Sequence, residues 1–268
     1  MSKESSNGIK RAIVFSMVAW VTVAASLTCS YAADEATIQK LKEQLIVANK
    51  VLDYEKLATP FGHISARIPG TDTFLITGNV APGMATIDDI LVCDLNGKIL
   101  QGKLKNTYSE VVIHTGVYKK RKDINSVAHT HSQYVIALSM ADLTVEPANL
   151  QAIILGPEPI ALYKKMVWID TPALGEELVD FLGPNNAVIL KGHGALLVGR
   201  NIVDATYYSR ILESCAQSQW LARSVGKLST FTEEEKQRAI EFTKKSALVP
   251  GGGRNREWDY YEKFKLPK

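Results

Sequence analysis

The stretch from Asn125 to Met140 constrains the fold most, because it changes from a strand pattern to a helix pattern. Residues 126–129 are typical of a strand, and Ser132 is placed to cap a helix that follows. His129 and His131 are two positions apart, so both imidazoles face the same side of an extended chain. Converging neutral imidazoles bind a borderline metal such as Zn²⁺. Two hydrogen-bonded histidines at a strand edge would give the same pattern, so the rest of the chain must decide.

Predicted strands and helices interleave along the chain, which indicates an α/β fold in one domain. Further strands are predicted at 61–67, 73–77, 90–95, 98–100, 187–190 and 195–198, and helices at 33–57, 110–120, 175–182, 202–225 and 233–246. A Pro-rich loop is predicted at 154–159.

The N-terminal residues have the organisation of a secretory signal peptide. A basic segment with Lys3, Lys10 and Arg11 precedes an uncharged run from Ala12 to Leu27, and Ser30-Tyr31-Ala32 resembles a cleavage site. The run is shorter than the roughly 20 residues that a spanning helix needs. We therefore expect residues 1–32 to be a signal peptide and the protein to be exported, periplasmic or secreted, with an uncleaved membrane anchor as the alternative.

Composition narrows the classes of partner. The net charge of +3 derives mostly from the basic residues of the predicted signal, so nothing indicates binding to nucleic acid. The remainder divides into a domain at 33–249 and a glycine linker with an aromatic tail at 250–268. Cys93 and Cys215 both lie in apolar patterns, which is as consistent with buried free thiols as with a disulfide.

Two further residues carry functional groups suited to a site near His129. Glu110 opens a predicted helix, where the helix dipole stabilises a carboxylate. His193 lies between Gly192 and Gly194 at the tip of a strand–turn–strand, where the glycines leave the imidazole accessible. Taken alone, each has an ordinary structural explanation, as a helix-start glutamate and as a turn histidine.

In their order along the chain, these residues resemble the class II aldolase and adducin family. The resemblance extends from about residue 33 to residue 225 and rests on four motifs: Gly62-His-Ile-Ser-Ala-Arg67, Tyr108-Ser-Glu110, Ala128-His-Thr-His131 and Lys191-Gly-His-Gly194. It implies a three-layer α/β/α sandwich with a largely antiparallel central sheet. It also implies a homotetramer with active sites between subunits.

The resemblance further implies roles for individual residues. His129, His131 and His193 would be the metal ligands, and Glu110 the catalytic acid/base. Zn²⁺ is the favoured ion, with Mn²⁺, Fe²⁺ and Co²⁺ as alternatives, and three imidazoles leave room for substrate oxygens. The residues implied to contact the substrate are His63, Ser65, Arg67, Thr77, Gly78, Tyr108 and Ser109.

Departures from the family pattern narrow the expected substrate. Sugar-phosphate aldolases of the family have Asn where this chain has His63, and a small residue where it has Tyr108. The larger side chains shrink the phosphate pocket, and the motif is more similar to the branch that contains 3,4-dihydroxyphthalate decarboxylase. We therefore expect a carbon–carbon lyase that decarboxylates, or cleaves by retro-aldol chemistry, a small unphosphorylated hydroxy-carbonyl or hydroxyaromatic carboxylate. Arg67 is the candidate partner of the substrate carboxylate, and a surface ion pair is an equally open alternative for it.

Several alternatives stay open from the sequence. The chain could be a sugar-phosphate aldolase or epimerase, a non-catalytic adducin-like binding protein, or an oxygenase if the imidazoles hold Fe²⁺. His114, one helical turn after Glu110, is expected to support the site rather than to bind the metal. The aromatic tail is equally consistent with a lid over the site and with a loosely packed terminus.

Overall fold

The computed structural model describes residues 33–247 and 253–266, and the predicted signal peptide lies outside the described residues. The strands are β1 His63–Arg67, β2 Thr73–Thr77, β3 Ile90–Asp94, β4 Ile99–Gln101, β5 Ser126–Thr130, β6 Ala161–Tyr163, β7 Ala187–Leu190 and β8 Gly194–Gly199. The helices are α1 Glu35–Tyr54, α2 Val111–Lys120, α3 Gln133–Met140, α4 Ala152–Leu155, α5 Pro172–Leu182, α6 Ile202–Val225, α7 Glu233–Ala247 and α8 Gly253–Tyr260, with short 3₁₀ turns at Pro82–Met84 and Ile87–Asp89 and a π-helical turn at Tyr261–Lys265.

The eight strands form one sheet in the order β4-β3-β2-β1-β5-β8-β7-β6. Neighbouring strands are antiparallel except for β6, which runs parallel to β7. In the centre, β5 lies between β1 and β8, and His129 is opposite His63 on β1 and Leu196 on β8. The largely antiparallel sheet predicted above is confirmed, and its register brings two histidines of distant motifs side by side.

Helices cover both faces of the sheet and complete the three layers. One apolar cluster joins α1, α3 and α6 to one face, and a second joins α2 and α5 to the other. The inner strands are buried along their whole length, because both faces are covered. Cys93 belongs to the second cluster and Cys215 to the first, and both are free thiols. The sheet therefore separates the two cysteines.

Most element boundaries lie close to the predictions, but α5 begins at Pro172 rather than Gly175, and α8 was not predicted. The helix predicted at 110–120 begins at Val111, so that Glu110 is its N-cap residue. One turn of helix, α4, overlaps the first two residues of the loop predicted at 154–159. The short strand β6 was not predicted, because its three residues are too few to show a period.

The C-terminal tail is docked on the domain, so a loosely packed terminus is wrong for residues 253–266. Arg254 forms an ion pair with Asp204 at 2.7 Å, and Arg210 forms one with Glu257. Trp258 is buried against the cluster beneath α6. The contacts given for α8 and the turn after it lie on α6 and α1, away from the four motifs. Among the described residues, no helix has the length and apolar character to span a membrane.

Candidate metal centre

Four ionisable side chains converge where β5 ends. The Nε2 atoms of His129 and His131 lie 2.9 Å apart. Glu110, at the start of α2, places Oε2 3.4 Å from His129 Nε2 and Oε1 3.4 Å from His193 Nε2. The backbone N–H of Ile169 also donates to Glu110 Oε1, at 3.4 Å. Each of the four side chains offers a ligand atom, and these atoms all lie within 4.8 Å of one another.

The loop that carries His193 depends on its glycines. Gly194 passes so close to β5 that an added Cβ would lie 1.9 Å from the carbonyl oxygen of Thr130. Gly192 has a φ of 68°, a conformation that a residue with a side chain adopts at a cost. The two glycines therefore allow the loop to press His193 against the end of the strand that bears His129 and His131.

The protonation states of these groups suit a metal ion. Burial lowers the pKa of His131 to about 3, and the neighbouring imidazoles of His129 and His193 lower it further, so the ring is neutral at pH 7. Burial works to raise the pKa of Glu110, but the neighbouring imidazoles of His129 and His193 outweigh it and hold the pKa well below its usual range. Neutral imidazoles and an ionised carboxylate are the forms that bind cations.

Hydrogen bonding agrees with the same interpretation. His129 Nδ1 lies 3.0 Å from the carbonyl oxygen of Ala195, which can only accept, so Nδ1 carries the proton and Nε2 has a free lone pair. Neither ring nitrogen of His193 has a hydrogen-bond partner, although both atoms are buried. Buried polar atoms without partners are uncommon, and a divalent cation here would engage a nitrogen of His193 together with nitrogens of His129 and His131. The donor set therefore fits the predicted metal.

The chain has five histidines, and all of them lie in or directly beside this centre. His63 stacks between Tyr108 and His129, with ring centroids at 4.4 and 5.2 Å. His63 Nδ1 lies 2.7 Å from His114 Nε2, and its other nitrogen is buried without a partner. His114 is absent from the group of four that could hold a metal, which agrees with the supporting role expected for it. The five are His63, His114, His129, His131 and His193.

Thr77 and Tyr108 use their polar groups within the protein. The Tyr108 hydroxyl donates to the carbonyl of Val80 at 2.8 Å, so it accepts from Thr77 Oγ1, also at 2.8 Å. The backbone N–H of Gly78 is bonded to another backbone carbonyl, and Ser109 is exposed. The predicted substrate contacts of Thr77, Gly78 and Tyr108 stay a prediction, and in this structure these polar atoms are bonded within the protein. The ring of Tyr108 instead forms a wall beside His63.

The polar groups of Ser65 and Arg67 are hydrogen-bonded within the protein. Ser65 Oγ lies 2.6 Å from His114 Nδ1 and 2.7 Å from the Tyr118 hydroxyl, within the protein interior. Arg67 donates to the backbone carbonyls of Ile124 and Tyr118, and its guanidinium lies over the Tyr118 ring at 4.7 Å. Arg67 follows His63 by four strand residues, which is about 13 Å along the strand. The predicted pairing of Arg67 with a substrate carboxylate stays a prediction, and in this structure the guanidinium donates to the protein backbone.

Exposed apolar side chains surround the mouth of the centre. Met166 and Met140 are the side chains nearest to Gly192, which precedes His193. Trp168 is 74% exposed and precedes Ile169, whose N–H donates to Glu110. Exposed apolar side chains gathered beside a site are typical of an interaction surface. This apolar rim consists of Phe61, Met140, Met166 and Trp168.

Three comparisons relate the chain to proteins already described. Residues 43–220 match the model of the class II aldolase and adducin N-terminal domain. The chain is 28% identical over 188 residues to an L-fuculose phosphate aldolase of Methanococcus maripaludis, covering 69% of this chain and 98% of that one. It is 28% identical over 198 residues to a 3,4-dihydroxyphthalate decarboxylase of Arthrobacter keyseri, covering 69% and 79%. A solved aldolase II superfamily protein from Pseudomonas syringae superposes with a TM-score of 0.73 at 26% identity, covering 83% of this chain and 90% of that chain.

Proposed function

Because the chain belongs to the class II aldolase and adducin family, we propose that it is a carbon–carbon lyase for an unphosphorylated hydroxy-carbonyl or hydroxyaromatic carboxylate. The observation that carries this proposal is that the hydroxyls of Ser65, Thr77 and Tyr108 are already bonded within the protein. A phosphate dianion needs several charge-assisted hydrogen bonds to offset its desolvation. A single donor on His63 suits a carboxylate or carbonyl oxygen better.

His129, His131 and His193 would hold the metal, for which we favour Zn²⁺ because three imidazoles and an open position are typical of catalytic zinc. A bound divalent cation supplies a Lewis acid that stabilises the negative charge developing on substrate oxygens as the C–C bond breaks. The buried walls formed by His63 and Tyr108 exclude water from that charge and so strengthen its stabilisation.

Glu110 would move the proton. Its low pKa means that it starts as a carboxylate, so it can take the proton from the substrate hydroxyl. The C–C bond then breaks and releases CO₂ or an aldehyde. The electron pair of the broken bond remains on the other carbon. Glu110 returns the same proton to that carbon, which balances the reaction and restores the carboxylate. The N–H of Ile169 helps to hold the carboxylate in place between the two transfers.

The test is a side-by-side assay of the purified, metal-loaded protein. Dihydroxybenzoate-type acids are followed by CO₂ release, and fuculose 1-phosphate and ribulose 5-phosphate by cleavage or epimerisation. We expect turnover of the unphosphorylated acids and little of the phosphates. Glu110→Gln keeps the shape but not the proton acceptor, so it should lose about 10²–10⁴-fold in rate. Turnover of a phosphorylated sugar at a kcat/KM above ~10⁴ M⁻¹s⁻¹ would refute the substrate class.

The second candidate is a sugar-phosphate aldolase or epimerase. It is favoured by the likeness to the L-fuculose phosphate aldolase of Methanococcus maripaludis, which covers nearly all of that enzyme. The same metal, Glu110 and proton transfers would serve either reaction, so the assay above separates the two by the substrate alone. An adducin-like binding role would leave the four converging side chains without a purpose.

Export and assembly complete the proposal. We propose that the signal peptide at 1–32 is removed on export, which N-terminal sequencing of extracytoplasmic protein would test. Retention of Met1 on a cytosolic protein would refute it. We also propose a homotetramer in which the apolar rim lies at a subunit contact, next to the metal centre.

A further inference from the structure

A continuous chain of hydrogen bonds runs from the protein interior to the site through four buried side chains. The Tyr118 hydroxyl lies 2.7 Å from Ser65 Oγ, which lies 2.6 Å from His114 Nδ1. His114 Nε2 lies 2.7 Å from His63 Nδ1. His114 and Tyr118 are four residues apart on α2, and His63 and Ser65 are two apart on β1, so a helix face meets a strand face. All four side chains are essentially inaccessible to water.

The hydrogen bonds of this series can run in two directions, which differ in which atom of each pair carries the proton. Burial lowers the pKa of His114 to about 3, so this imidazole is neutral at pH 7 and carries one ring proton. In the first direction Tyr118 donates to Ser65, Ser65 to His114, and His114 to His63 Nδ1. His63 then carries its proton on Nε2. In the second direction every donor is reversed, and His63 carries its proton on Nδ1.

The hydroxyl groups decide between the two directions. Within the described part of the chain, the side-chain hydrogen bond given for the Tyr118 hydroxyl is the one to Ser65. Reversal would leave the Tyr118 proton buried without an acceptor, which is unfavourable. The first direction uses every hydroxyl proton and leaves one unpartnered atom, His63 Nε2, beside the metal ligands.

We propose that Tyr118, Ser65 and His114 hold His63 in the Nε2–H tautomer, so that His63 is a hydrogen-bond donor to an oxygen atom of the substrate. This role rests on the proposed function, because the acceptor is the carboxylate or carbonyl oxygen of that substrate. Ser65 and His114 are then positioning residues, and their sequence motif serves the orientation of a neighbour rather than contact with the ligand. The donor would select for substrates with an anionic oxygen next to the reacting carbon and against those with a second donor at that point.

The experiment is nitrogen NMR on Zn²⁺-loaded protein labelled with ¹⁵N-histidine at neutral pH and without substrate. The five histidines give a simple spectrum, and His63→Gln identifies the signals of His63 by their loss. We expect His63 to show a protonated Nε2 and an unprotonated Nδ1. Protonation of Nδ1, of both nitrogens, or of each nitrogen in exchange would overturn the proposal.

Two matched variants test the chain itself. Ser65→Ala removes the donor to His114, so His63 should change from one tautomer to a mixture. Ser126→Ala is the control, because Ser126 is equally buried on the neighbouring strand but donates to the Ser65 carbonyl, outside the chain. A single His63 tautomer in Ser65→Ala, or a mixture of tautomers in Ser126→Ala, would show that these hydrogen bonds do not set the tautomer of His63. Since the spectra need no turnover, they stand apart from the assay, and a dihydroxybenzoate that binds should shift the Nε2–H signal.

Discussion

At the scale of single residues, the His131 side chain offers the sharpest test of metal binding. It is less buried than His129, so it can be removed with little damage to the core. We expect the metal content of the His131→Ala variant to fall from about one ion per chain to far less, since the variant lacks one of the three imidazoles. The loss of metal affinity should exceed the roughly 10–100-fold loss caused by removing a hydrogen bond that supports a ligand. Elemental analysis after gel filtration gives the measurement.

The control for this variant is Thr130→Val, in the position between the two ligands. The Thr130 hydroxyl is buried without a partner, so its replacement by a methyl group should leave the fold and the metal content unchanged. Full metal content in His131→Ala would contradict the ligand assignment. Loss of metal from Thr130→Val would instead mean that general packing, and not ligation, controls the content.

Residue-level prediction succeeded where the chain geometry fixes the side-chain direction. Two positions on a strand place His129 and His131 on one face, and that is a property of the backbone alone. The same rule places Arg67 on the face of His63 but about 13 Å away along the strand, where its guanidinium donates to backbone carbonyls. Ser65 was assigned to the substrate, because a sequence cannot reveal that Tyr118 and His114 lie opposite it.

At the scale of elements, α3 begins on a cap that its own sequence does not contain. Ser132 is the N-cap residue but makes no side-chain cap bond. The carboxylate of Glu213 on α6 accepts instead from the backbone N–H groups of Tyr134 at 2.9 Å and Val135 at 3.1 Å. This bond pair joins the helix after the metal ligands to the longest helix of the domain, and it positions the end of β5.

Glu213→Ala should therefore destabilise the domain. Two backbone N–H groups lose their acceptors in a partly buried place, which costs about 1–3 kcal/mol. The urea midpoint should fall accordingly without a change in slope. Glu241→Ala, an exposed glutamate on α7, is the matched control and should leave the midpoint within error. Equal stability of the two variants would show that the cap is dispensable.

The elements predicted from the sequence are those with a long periodic pattern or with clear capping residues at their ends. α6 was bounded correctly, because Asn201 caps it and Gly226 follows it. The strand β6 pairs in parallel with β7, and its position depends on partners 27 residues later in the chain, which local periodicity cannot indicate. The cap from Glu213 escaped prediction for the same reason, since it reaches α3 from a distant helix.

At the scale of the whole molecule, the apolar rim is the surface proposed to meet a partner subunit. Trp168 is the most exposed of its four members, and Met166 at 66% exposure lies against the loop of His193. Burying such side chains in a contact would contribute about 25 cal/mol per Å² removed from water. A contact here would also close the mouth of the metal centre to bulk solvent.

Trp168→Asp should therefore reduce the molecular mass in solution from a tetramer toward a monomer, because a charge would have to be buried in the contact. Light scattering coupled to size-exclusion chromatography measures the molecular mass. Val225→Asp is the control, since Val225 is 89% exposed at the end of α6 and outside the rim. An unchanged mass for Trp168→Asp would exclude the rim from the subunit contact.

The gathering of every histidine at one place has a consequence for chemical labelling. Diethyl pyrocarbonate acylates accessible imidazoles, and in this chain it can report on no other region. His63, His114 and His129 are buried, and so are both ring nitrogens of His193, whereas the ring of His131 is partly accessible. Bound metal would occupy a nitrogen of the His131 ring, so acylation of that ring would count the centres without metal. A preparation's unloaded fraction could then be read from ultraviolet absorbance alone, without a substrate.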